Sequence, residues 1–72
     1  MEDFKKRLQE EQQVLRDKIN KLTVFLNSDE GKQLEESILK AMKEQKKAMI
    51  RYEFWLIRRM ELLEVPLLKD ED

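Results

Sequence analysis

Apolar residues recur at alternating spacings of four and three along the first part of the chain: Phe4, Leu8, Leu15, Ile19, Leu22 and Leu26, with Gln12 filling the missing step. This is the seam of a helix packed against a partner running near-parallel or antiparallel to it. Glu2 and Asp3 open the segment, where acidic side chains favour the positive end of the helix dipole. A first helix is therefore expected over residues 3–27. The pattern breaks at "NSDEG", residues 27–31. Asn27, Ser28 and Asp29 compete locally for backbone hydrogen bonds, and Gly31 permits a positive φ at low cost. Ser28 or Asp29 is expected to cap a short helical turn inside a corner spanning 28–35, with Leu34 folded back onto the hairpin end.

A second helix is expected over residues 36–64, ended by Val65-Pro66 because proline disfavours α for the residue before it. Its seam reads Ile38, Met42, Gln45, Met49, Tyr52, Leu56, Arg59 and Leu63, and Ala41, Ala48, Trp55 and Leu62 run beside it at heptad spacing. The two stripes together cover about 160° of the helix surface, wider than the ~100° of an ordinary surface helix. Folding the helices antiparallel about the corner sets Leu22 against Met42, Leu15 against Met49 and Leu8 against Leu56. Gln12 then meets Tyr52, a polar layer of the kind that fixes register. The expected fold class is all-α: an antiparallel helical hairpin with a short helical corner, residues 1–65 forming one domain and 66–72 an acidic tail.

Composition narrows the chemistry. The chain has 72 residues, 43% of them charged, with one Gly, one Pro, and neither Cys nor His. Without Cys there is no disulfide and no thiolate metal site. Without His the commonest general base and metal ligand is gone. Ser28 and Ser37 have no base to activate them, and no Gly-rich phosphate loop is present. The sequence points to a non-enzymatic protein that needs no cofactor and no metal. No apolar run approaches the ~20 residues of a membrane span, and "MEDFKKRLQEEQQ" lacks the apolar stretch of a signal peptide. A soluble cytosolic protein is expected. Below roughly 70–80 residues a single core rarely supplies more than about 3–5 kcal/mol, so self-association into a helical bundle is expected to complete the fold.

Two features of the second helix suggest contact surfaces. Ile50 and Ile57 lie away from the expected seam and align with Leu39, with Phe54 nearby. They read either as scattered surface hydrophobes or as an interface for another copy or another protein. Lys40, Lys47, Arg51 and Arg58 share a second stripe, flanked by Lys43 and Lys46. Residues 32–60 hold eight basic and four acidic side chains, whereas residues 61–72 hold one basic and five acidic. The basic stripe is either a solvated face or a track for phosphates, nucleotides or an acidic protein. Arg59, with Tyr52 and Gln45 one and two heptads back, either pairs with Glu2 or Asp3 or presents a guanidinium between subunits. Trp55 and Tyr52 are either core residues or a stacking pair for a base. Near-zero net charge, the acidic tail and the lack of a recognition helix argue against nucleic acid.

The block "LRDKINKLTVFLNSDEGKQLEE", followed by Gln45, Met49, Tyr52, Leu56, Arg59 and Met60, resembles a group of small helical proteins encoded by tailed bacteriophages. The resemblance spans residues 14–63 and rests also on Lys18, Ile19, Lys21, Leu22, Phe25, Ser28 and Leu34. Gly31 stands where the pattern has a neighbouring aromatic, and Glu35 near where it has a proline, so the corner is expected to differ. The resemblance implies a phage accessory protein acting in the bacterial host cytoplasm. Such proteins often act stoichiometrically against host machinery or immunity, and one mode is sequestration of cyclic-nucleotide signals by oligomeric helical hairpins. The leading expectation is a homo-oligomer that binds and blocks a host protein through Leu39, Ile50, Phe54 and Ile57. The alternative is a sponge for a small anionic nucleotide, held by Lys40, Lys47, Arg51, Tyr52, Trp55, Arg58 and Arg59. A third is a purely structural coiled coil.

Overall fold

The structure is a computed structural model and describes residues 2–68. Three helices follow in order: α1 (Glu2–Asn27), the single turn α2 (Asp29–Lys32) and α3 (Glu36–Leu62). The two long helices pack on each other as an antiparallel pair and α2 forms the corner, as expected. Among the described residues there is no strand.

α1 buries the periodic stripe that the spacing predicts. Leu8, Gln12, Leu15 and Ile19 are buried, and Leu22 and Leu26 are half-buried. Phe4 departs from it and stays 46% exposed. At the corner, the Ser28 hydroxyl donates to the Phe25 carbonyl at 2.6 Å and accepts the Gly31 N–H at 3.1 Å. Ser28 is thus the N-cap of α2. Gly31 does not use the positive φ expected of it. It is needed for a different reason: an added Cβ would overlap the Phe25 carbonyl oxygen and lie 3.2 Å from the Leu26 Cα. Close backbone approach excludes a side chain there.

α3 corrects the expected seam by one residue. The packed positions are Leu39, Met42, Lys46, Met49, Glu53, Leu56 and Met60, all buried or half-buried. Met42, Met49 and Leu56 belong to the expected stripe, but Ile38, Gln45, Tyr52, Arg59 and Leu63 are exposed, as are Ala41, Ala48, Trp55 and Leu62. The polar layer at Gln12 exists, with Glu53 in place of Tyr52. Gln12 Nε2 donates to Glu53 Oε2 at 3.1 Å. Arg16 Nε donates to the same oxygen at 2.9 Å, and its Nη2 meets Glu53 Oε1. A carboxylate only 3% exposed is tolerable because it is paired and hydrogen-bonded. Arg16, four residues after Gln12, is what favours Glu53 over Tyr52 in that layer.

α3 stops at Leu62, two residues before the expected end. Glu64 adopts φ 58°, which lets the Val65 N–H donate to the Met60 carbonyl at 2.8 Å. Val65 turns inward to 5% exposure, and Gln9 Nε2 donates to the Pro66 carbonyl at 2.8 Å. Leu8, Leu15, Ile19, Leu56, Met60 and Val65 form the buried core, with Met49 against it. Of the acidic tail expected over 66–72, residues 69–72 lie outside the described residues.

Candidate functional site

Because α1 covers only one side of α3, the helix keeps three other sides for solvent or partners. The sides follow from its periodicity of ~3.6 residues per turn. Next to the packed side lies an outward seam running from Ile38 to Leu62. Beyond it come the basic stripe and then the Ile50–Phe54 side.

The outward seam and basic stripe meet in a shallow depression of about 480 Å³ lined by Glu44, Lys47, Ala48, Arg51, Tyr52 and Trp55. Tyr52 is 50% exposed and Trp55 62%. Trp55 is braced edge-on by Phe54, with ring centroids 5.0 Å apart and planes at 90°. Lys47 donates to Glu44 at 3.0 Å on the rim, and both side chains are largely exposed. The structure therefore brings together Lys47, Arg51, Tyr52 and Trp55. Lys40 lines a neighbouring hollow with Leu39, Lys43, Glu44 and Lys47. Arg58 lines neither and pairs with Glu61 at 3.4 Å. Arg59 is exposed. Among the described residues the ion pairs are these two and Arg16–Glu53.

A second opening, about 630 Å³, lies between the helices at the corner. Leu26, Leu39 and Ile50 form its apolar floor, and Lys32, Lys43, Lys46 and Lys47 its rim. Leu39 and Ile50 are thus part of a groove. Ile57 is half-buried, and Phe54 stands 60% exposed beside Trp55. The four do not form one continuous outward face. Lys32 was invisible to the reading of the second helix because the corner, not helical spacing, delivers it to the rim.

Chemically, the depression offers flat aromatic faces beside exposed positive charge. Exposed aromatic rings stack on planar groups, and guanidinium and ammonium groups meet phosphate oxygens. The corner groove offers lysines around an apolar floor. Both arrangements suit binding. No described helix is long and apolar enough to cross a membrane.

No curated protein and no solved structure matches the chain significantly. A protein-family model described as Sequestin matches residues 2–62, which takes in all three helices. The chain belongs to the Sequestin family.

Proposed function

We propose that this Sequestin-family chain is a non-enzymatic phage protein that acts in the bacterial cytoplasm by sequestering a small anionic nucleotide. The observation that carries the reading is the depression in which Tyr52 and Trp55 stand half or more exposed beside Lys47 and Arg51. Stacking a base on an aromatic ring contributes about 1–3 kcal/mol, and the neighbouring cations suit its phosphates. The family description, which names sequestration, supports a binding role over a catalytic one. The absence of Cys and His from the sequence supports the same conclusion.

Native mass spectrometry of protein purified gently from bacterial cells tests this directly. The expected result is a retained mass of a few hundred daltons per site, lost in Arg51→Glu. Protein that carries nothing and takes up no member of a nucleotide panel would overturn the proposal. A second reading, blocking of a host protein, is favoured by the exposure of Phe54 and Ile50. It predicts that Ile50→Asp removes activity against the host while nucleotide binding persists.

A further inference from the structure

We infer that the groove at the corner, floored by Leu26, Leu39 and Ile50, docks an amphipathic helical segment of a partner protein that carries carboxylates beside its apolar face. This is a separate place from the nucleotide depression, with which it shares only Lys47. The host-protein reading above supplies the source of the partner, and for that the inference rests on it; the groove supplies the partner's chemistry.

Positive charge here has no counterpart within the fold. Lys32, Lys43 and Lys46 stand around the apolar floor, and among the described residues none of the three enters an ion pair. No carboxylate lines the opening. Lys46 is the clearest case. It is half-buried on the side of α3 packed toward α1, between Met42 and Met49 in the seam. An apolar residue would extend that seam, whereas an ammonium there gives up hydration with no partner in return. Positions that break a packing rule without local compensation concentrate at functional sites. A carboxylate arriving from outside is the missing partner.

Length and shape select a helix. Along α3, Leu39 and Ile50 lie about 16 Å apart at 1.5 Å per residue. An amphipathic segment of about three turns matches that span. Its apolar side rests on Leu26, Leu39 and Ile50, in an opening of about 630 Å³. Carboxylates on its flanks meet Lys32, delivered by the corner, and Lys43 and Lys46 of α3.

Broader anionic surfaces fit worse. A bilayer or a duplex would also lie against Asp29, Glu30, Glu35 and Glu36, the exposed acids of the same corner, and like charges would meet there. None of the four lines the groove, so a segment narrow enough to lie within it does not meet them. A nucleotide base finds no aromatic ring in the groove to stack on.

Fluorescence anisotropy with a labelled synthetic peptide tests the docking. The peptide is a helix of about three turns with leucines on one face and glutamates on the other. Saturable binding is expected, weakened severalfold by high salt and by Ile50→Gln. In Lys43→Glu, where attraction becomes repulsion, it is expected to weaken about tenfold. Lys43 and Ile50 are both exposed, and circular dichroism is expected to show native helicity in each variant. Lys6→Glu makes the same charge change at the far end of the hairpin and is expected to leave binding unchanged. No saturable binding, an equal loss in Lys6→Glu, or undiminished binding of a peptide with glutamine at every leucine overturns the inference. Lys43-dependent sedimentation with phosphatidylglycerol vesicles, in place of peptide binding, overturns it in favour of a membrane. If the peptide fails while Ile50→Asp still removes activity against the host, the docking chemistry falls and the blocking reading stands.

Discussion

Toward its chain ends the hairpin is closed by Leu8, Leu56, Met60 and Val65, all buried. Toward the corner the same two helices meet through Leu22, Leu26, Leu39 and Met42, all only half-buried, and Lys46 interrupts the seam. The difference is one of partners. At the closed end the turned-back Val65 adds a third element to the two helices, and the satisfied Gln12–Glu53–Arg16 layer seals the middle. At the corner α2 packs against α1 while the α1–α3 gap opens into the lysine-rimmed groove. The hairpin concentrates its cohesion at one end and leaves the other open.

The strongest way to break that contrast is to empty the closed end. Met60 is 1% exposed, and Met60→Ala should cost about 2–5 kcal/mol, comparable to the whole stability of a small single core. Urea unfolding followed by circular dichroism should show the variant largely unfolded in buffer. A loss below about 1 kcal/mol would mean that cohesion is spread evenly along the hairpin. Gly31→Ala attacks the corner itself. The added methyl meets backbone that cannot swing aside, and overpacking of this kind costs about 1–3 kcal/mol. A lower thermal midpoint with helicity retained is the expected reading; no change would show that the corner yields easily. The smallest effect, and of opposite sign, belongs to Lys46→Leu. Completing the apolar seam at a half-buried position should stabilise by about 1 kcal/mol. A destabilised variant would show that the open half is held by something other than its seam.

Much of this fold was legible before any coordinates. The α1 stripe and the Ser28 cap are set by local spacing or local hydrogen bonding, and such signals survive without knowledge of the partner. The facing side of α3 was not legible, for a physical reason. Two overlapping stripes share Met42, Met49 and Leu56 and differ only by one step elsewhere. Ile38, Gln45, Tyr52 and Arg59 stand against Leu39, Lys46, Glu53 and Met60. Each set mixes apolar and polar residues, so hydrophobicity alone barely separates them. What separates them is a tertiary ion pair, Arg16 with Glu53, and a buried charge reads as a surface charge until its partner is known. The candidate site followed suit. Lys47, Arg51, Tyr52 and Trp55 lie within about two and a half turns of one helix, so spacing alone placed them together. The corner groove draws on all three helices, and spacing within one helix cannot reveal it.

The turned-back tail has one more consequence. The family model's match ends at residue 62, yet the hydrophobic core runs on to Val65. The matched segment is therefore smaller than the unit that holds this chain together. The stopper is Val65, positioned by the left-handed residue Glu64 and tethered through Gln9 and Pro66. A piece of chain cut after residue 62 would keep every helical residue and lose the cork.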